Sequence, residues 1–423
     1  MVTVTVPSST EQISYEDLYA RWEKGNWRAT EIDFSQDRVD WHERLSDEQR
    51  RGALWIFALF FHGEESVTDN LSPYIDAAPR EEQAHFLTTQ QVDEARHTVL
   101  FKRFMHEVVG VGDGSTGATL AATLGELTWG HRQVFGRLDR MADELHKDHS
   151  PVQLARAITL YHIVIEAGLA QSGQHMIERF LEENDVLPGF REGIRHVSLD
   201  EQRHIAFGVR LLADLYKADP EPIQDAIVST IREVLPWTTA TGYPPDRRWT
   251  ESWGFSVEDL YEEGARATEA RIRAIGLHPE DIPAFPFPID LPPRERGERG
   301  IKLLEAGMLG EKRGPASRDP EAVEILMDQM RRGADPAKAP AGTVIQYEFD
   351  DFEPWYLSLD NGNSAVARGR ASEPSLSLRF RSFDDFVDVG TGRADPRRLL
   401  LRRRIRPRGS LRVLARLPRV FPG

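Results

Sequence analysis

Between Ser46 and Tyr216 apolar residues recur at steps of three and four, the rhythm that turns one face of an α-helix toward a core. The rhythm breaks at Ser72-Pro73 and Ala78-Pro79, in the glycine-rich VGDGSTG stretch, and at Leu187-Pro188-Gly189, where a helix is stopped or restarted. These breaks predict four or more long helices in a bundle, with further helical stretches at Pro222–Val234 and Val257–Ile275. Between His278 and Arg299 the chain reads HPEDIPAFPFPIDLPPRERGER, too rich in proline for a regular helix or a buried surface, and a domain boundary is expected there. Beyond it a short helix, Pro320–Arg332, precedes the alternating segments VIQYEF, WYLSL and LSLRF, with Asp360-Asn361-Gly362-Asn363 fitting a hairpin turn. The expected architecture is mainly α: a helical bundle over residues 1–290, a linker over 291–317 and a small α+β domain over 318–423.

Acidic and imidazole side chains interrupt the inward rows of the four helices. The first row is Leu54, Phe57, Phe61, Glu64, Thr68 and Leu71; the second is Leu87, Gln90, Glu94, His97, Phe101 and Phe104. The third, less apolar, holds Thr159, His162, Glu166, Leu169 and Gly173, and the fourth Ile194, Val197, Glu201, His204, Gly208 and Leu211. Glu82/His85 has the same Glu-x-x-His spacing but lies about 120° around the helix from Glu94, so it is expected on the surface. Asp143, His146 and His149 sit in a charged stretch and are expected to be solvated.

Four carboxylates in one core are intolerable uncompensated, since each unpaired buried charge costs several kcal/mol. Two divalent cations remove the cost. One Glu from each of two helices plus Glu-x-x-His from each of the other two is the ligand set of ferritin-like di-iron and di-manganese bundles. The order here is Glu64, Glu94/His97, Glu166, Glu201/His204. The gaps of 30 and 35 residues from single to paired Glu suit antiparallel hairpins.

Composition sharpens this picture. The absence of cysteine removes thiolate sites, iron–sulfur clusters and disulfides, leaving oxygen and nitrogen donors. A net charge of −15 argues against nucleic acid as a partner, yet from Thr391 onward eleven arginines face one acid, Asp395. That tail is expected either to attract anionic lipid or acyl carboxylates, or to be a solvated face pairing with the acidic remainder. No apolar run approaches the roughly 20 residues of a membrane span. The N-terminal MVTVTVPSSTEQ lacks a signal-peptide pattern, so a cytoplasmic location is expected.

The sequence resembles the small-subunit superfamily of ribonucleotide reductase. The likeness includes Trp27-Arg28-Ala29-Thr30-Glu31-Ile32-Asp33, Asp37-Arg38-Val39-Asp40 and the Asp200 that precedes Glu201. It implies that Asp200 hydrogen-bonds behind the metal ligands and that Trp27 is linked to it. Where the reductase subunit keeps its radical tyrosine, four residues after the first metal histidine, this chain has Phe101. The match is closer to the ligand-binding oxidase branch, through GEESVT around Glu64 and Tyr161 five residues before Glu166. That resemblance implies a mixed Mn/Fe pair (or two Fe), a long-chain fatty acid beside it, and an ether link between Val67 and Tyr161. On a regular helix Tyr161 and Glu166 stand about 140° apart; a π-bulge between them would bring them together. The last ~100 residues resemble the sterol carrier protein lipid-binding domain, through EPWYLSL and FDDFVDVGTGRADPRRLL.

The expected function is a di-metal carboxylate oxidase, an O2-dependent oxidoreductase activating O2 next to a bound long-chain lipid or fatty acid. A homodimer is expected. The alternatives are a ribonucleotide reductase small subunit, an N-oxygenase or other di-iron oxygenase, and a lipid carrier with a structural metal pair.

Overall fold

The computed structural model describes residues 13–422; the stretch MVTVTVPSSTEQ, on which the expected location rests, lies outside them. The chain forms two compact units. One is built on the chain up to Ile231 together with Thr241–His278, the other on Arg232–Ala240 together with the chain from Pro279 onward.

Four long helices carry the first unit: Asp47–Asn70, Glu81–Phe104, Pro151–Asn184 and Pro188–Ala218. The first opens on a capping box, in which Ser46 Oγ accepts from the Gln49 amide and Gln49 Oε1 accepts from the Ser46 amide. The fourth starts where two buried aspartates of the Asp37-Arg38-Val39-Asp40 motif meet its free amides. Asp40 accepts from Leu187 N at 2.8 Å, and Asp37 accepts from Gly189 N at 2.9 Å and Phe190 N at 2.7 Å. The rings of Phe57, Phe101, Phe104 and Phe190 pack with centroids 4.4 to 6.5 Å apart and close one end of the core between these helices. Each fully buried phenylalanine stabilises the unit by roughly 1.5–3 kcal/mol.

The third helix is not a regular α-helix. From Thr159 to Ala170 it is π-helical, with the Gln171 amide donating to Glu166 O five residues back. A π-turn stacks residues about five apart, so Tyr161 and Glu166 come to one side and the angular objection of the sequence disappears. This helix is also long and apolar enough by composition to cross a membrane, contrary to the expectation that no segment is, but it is a core helix with most of its apolar window buried.

The fourth helix approaches the π segment closely. A β-carbon on Gly208 would lie 2.2 Å from His162 Cβ, so only a residue without a side chain fits. Gly208→Val is therefore expected to destabilise the unit by about 3 kcal/mol, read as a lower denaturation midpoint. An unchanged midpoint would show that the contact yields.

The second unit holds a five-stranded sheet in the order β3-β2-β1-β4-β5, with β1 Thr343–Phe349, β2 Trp355–Asp360, β3 Asn363–Arg368, β4 Leu376–Phe380 and β5 Ile405–Gly409. Only β1 and β4 pair in parallel. The Asn361-Gly362 turn joins β2 to β3 with both residues at positive φ, as a two-residue hairpin requires. The hairpin turn implied a strand after it without marking its extent, and β5 was not legible in the sequence. NSAVAR carries no alternating large apolar residues, and IRPRG lies in the arginine-rich tail, where pairing with β4 makes it a strand.

The stretch 291–317, read as a linker, contains the helix Pro293–Glu305. Its proline stands in the first helical turn, where the missing N–H costs nothing. Leu303, Ala306 and Met308 join Val323, Leu326, Ile345 and Leu357 in the apolar core of the second unit.

Candidate metal centre

The inward residues of the four helices converge. One donor atom each from Glu64, Glu94, His97 and Glu201 lie within 4.8 Å of one another, and so do those of Glu94, Glu166, Glu201 and His204. Glu94 and Glu201 belong to both groups. All six residues are buried. Glu82 and His85, at the same spacing, are half-buried and exposed, and Asp143, His146 and His149 are exposed.

The two paired helices repeat a pentapeptide, Asp93-Glu94-Ala95-Arg96-His97 and Asp200-Glu201-Gln202-Arg203-His204. Each motif completes the other. His97 Nε2 meets Asp200 Oδ2 at 3.1 Å, while His204 Nε2 meets Asp93 Oδ2 at 3.1 Å. Each imidazole therefore presents Nδ1 to the carboxylates: His97 Nδ1 lies 3.2 Å from Glu64, and His204 Nδ1 lies 3.1 Å from Glu94. Arg96 and Arg203 each bridge both aspartates, closing a buried ring of two cations and two anions. Two indoles finish the aspartates, Trp27 Nε1 donating to Asp200 and Trp22 Nε1 to Asp93, both at 2.8 Å. Such partners fix a ligand ring and raise its basicity.

Around Glu166 a second network forms. Tyr161 OH donates to Glu94 Oε1 at 2.6 Å. Gln90 Nε2 donates to Tyr161 OH and to Glu166 Oε1, both at 2.9 Å, and Gln90 Oε1 lies 3.1 Å from His162 Nε2. Val67 is buried one helical turn after Glu64. Phe101, in the radical-tyrosine position of the resemblance, is fully buried against Phe57, Phe60 and Phe190.

Sequence reasoning missed Asp93, Arg96, Arg203, Trp22, Gln90 and His162. The repeated Asp-Glu-x-Arg-His was a visible signal for the first three. Trp22 had none, and Gln90 and His162 looked like ordinary members of their rows.

The electrostatics describe a site built for cations. Burial pushes Glu64 well above the usual carboxylate range, and burial with the Glu201 charge lifts Glu166 to about 8. Glu201 is also raised, by burial and by Glu94. Burial alone would depress both imidazoles, but Glu64 and Asp200 hold His97 well up, and Glu94 and Asp93 do the same for His204. Glu94 goes the other way: the imidazoles outweigh its burial and hold it low. Glu166 Oε2, Glu201 Oε2 and His204 Nδ1 are buried and make no well-aligned hydrogen bond among the described residues, although His204 Nδ1 lies 3.1 Å from Glu94 and 3.5 Å from Glu201 Oε2. A buried polar atom left wholly unsatisfied costs about 1–3 kcal/mol, and cations between these three would complete their partners. The donor set fits a metal pair.

A pH dependence follows for the metal-free protein. The folded state keeps a proton on Glu166 up to about 8, whereas the unfolded chain releases it near 4.5. The raised imidazoles act in the same direction above 6.5, while the stability from Glu94 is lost only as pH falls below 4.5. Unfolding thus releases protons, and stability falls as pH rises from about 4.5 to about 8. Thermal melts of the metal-free protein across that range should show a falling midpoint; a rising one would contradict these proton positions.

The profile of the family described as ribonucleotide reductase, small chain, matches residues 9–237, more than half of the chain. The chain belongs to that family. Within the ribonucleotide reductase small-chain family it is similar to solved R2-like ligand-binding oxidases. The one from Sulfolobus acidocaldarius is 26% identical, with 64% of this chain and 95% of that chain covered and a TM-score of 0.54. A single-residue variant of an R2-like ligand-binding oxidase, described with an anaerobically reconstituted Mn/Fe cofactor, is 26% identical over 62% of this chain and 93% of its own, with a TM-score of 0.55. Residues 325–422 match the SCP-2 sterol transfer family. The fold is therefore a ferritin-like bundle followed by a small sterol-carrier-like domain, as expected from sequence.

Proposed function

We propose that this protein is a di-metal carboxylate oxidase that activates O2 beside a long-chain lipid or fatty acid, with its C-terminal module carrying the lipid. The observation that carries this reading is the pair of donor groups sharing Glu94 and Glu201 in a buried core. Glu64 and His97 would complete one position, Glu166 and His204 the other. The Mn/Fe cofactor of the similar oxidases supports manganese and iron here, with two irons as the variant. Bound there, the metals would supply the electrons and Lewis acidity that O2 reduction needs.

The chain's own groups prepare an oxidation next to that position. Glu94 stands ready to accept the Tyr161 proton, and Gln90 fixes the phenol oxygen from the other side. Burial and the neighbouring carboxylates hold the phenol protonated far above its ordinary range. Asp93 and Asp200 keep both imidazoles oriented, and the phenylalanines around Phe101 exclude water. The reading includes an ether link between Val67 and Tyr161. One C–H and the phenol O–H break, a C–O bond forms, and two electrons and two protons pass to O2.

Peptide mass spectrometry before and after air exposure of Mn(II)/Fe(II)-loaded protein tests this reading. Joined Val67 and Tyr161 peptides, lighter by two hydrogens, are expected. Metals that stay redox-silent in air would establish the structural-pair alternative. A reductase role is disfavoured by Phe101, and restoration of activity to a large reductase subunit would reverse that judgement.

A further inference from the structure

We propose that the arginine-rich edge of the second unit docks on an anionic lipid bilayer, an inference that rests on reading that unit as a lipid carrier. β5 is an edge strand, so its outer side has no neighbouring strand in the sheet. Of the eleven arginines from Thr391 onward, Arg393, Arg398 and Arg404 pair with aspartates. The others have no acidic partner among the described residues, and Arg402 and Arg403 in the turn before β5, Arg406 and Arg408 on it, and Arg412 at the start of the helix Leu411–Val420 are exposed. A charged edge strand also deters edge-to-edge pairing, but that role does not call for exposed leucines.

Two leucines stand among these arginines. Leu401 is 85% exposed and Leu411 is 78% exposed, flanking β5 at either end. A surface of guanidinium groups with protruding aliphatic side chains matches a bilayer interface, where the charges meet lipid phosphates and the leucines enter hydrocarbon. Nucleic acid would satisfy the charges and leave the leucines in water. The turn before β5 adds a third observation. Arg403 sits at φ 54°, held by hydrogen bonds that Arg403 N–H donates to Leu400 O at 3.0 Å and Arg404 N–H donates to Leu399 O at 2.9 Å. Glycine occupies that conformation without strain, yet the chain keeps a guanidinium there. The net charge of −15 leaves −25 on the chain before Thr391, so an anionic surface repels the rest of the protein and favours approach by this edge.

The test is flotation of the full chain with vesicles of phosphatidylcholine alone or mixed with phosphatidylglycerol, using a variant with Arg402, Arg403, Arg406 and Arg408 all changed to Gln and a second variant, Leu401→Ser with Leu411→Ser. Binding to the mixed vesicles only is expected, weakened by salt, and reduced roughly tenfold or more in the arginine variant. The leucine variant should lose affinity while keeping the salt dependence. Equal binding to both vesicle types, or unchanged binding of the arginine variant, would overturn the proposal. Binding to a DNA duplex as tight as to the mixed vesicles would overturn it in favour of a nucleic-acid surface. Capture of a monomeric fluorescent fatty acid in vesicle-free solution is measured in parallel. If the unsubstituted chain captures no fatty acid, the carrier reading fails whatever the vesicles show; if it captures fatty acid but does not bind the mixed vesicles, the docking surface alone fails.

Discussion

Glu94→Ala or Glu201→Ala protein, loaded anaerobically with Mn(II) or Fe(II), is expected to retain well under half of the metal held by the unsubstituted chain. Each of these carboxylates contributes to both donor groups, so its loss removes an anion from both positions at once. Glu94→Ala also deprives Tyr161 of its acceptor and takes a carboxylate away from both imidazoles. Glu64→Ala and Glu166→Ala each strip only one position and are expected to leave about half of the metal. Losing even an outer hydrogen-bond partner of a ligand typically costs 10–100-fold in affinity, so deleting a shared ligand should exceed that. Elemental analysis of the four folded variants reads the contrast directly. Equal losses in all four would remove the distinction between shared and single carboxylates, and a full metal pair in Glu94→Ala would end the assignment of Glu94 as a shared ligand.

Chelation carries the second large effect. Each metal that binds only the folded state adds about 4 kcal/mol when free metal exceeds its dissociation constant a thousandfold, so a pair adds about 8 kcal/mol. A unit of this size shifts its melting midpoint by about 2–4 °C per kcal/mol, so stripping both metals should lower the bundle's midpoint by about 20 °C. The gap should widen as pH rises. The metal-free protein holds protons on Glu64, Glu166 and the imidazoles where cations would stand, and raising pH removes that substitute while easing metal entry. Melting curves with chelator, without it and after metal is restored measure the effect. A midpoint unmoved by chelation and restoration would show that the six residues are stable as a purely protonic cluster.

The rows of the four helices were legible because helical periodicity is local: Glu64, Glu94, His97, Glu201 and His204 each fall in phase with apolar neighbours one and two turns away. Glu166 was the weakest member of that set, and the structure gives the reason. Its helix is π-helical around it, so a 3.6-residue template misjudges which residues share its face. Gln90 and His162 were missed on the same ground, since Gln90 is set apart from ordinary core residues only by what the π segment brings to it.

By itself the sequence determined the helical bundle, the order and inward phase of the carboxylates and imidazoles, the absence of thiolate chemistry and the hairpin at Asn361-Gly362, because each follows from residue type and short-range spacing. Tertiary structure alone decided how the two Asp-Glu-x-Arg-His motifs interlock, each aspartate serving the histidine of the other helix across more than 100 residues of chain. It also made a helix of Pro293–Glu305 and an edge strand of Ile405–Gly409, because the side chains and backbone groups that stabilise them come from distant segments.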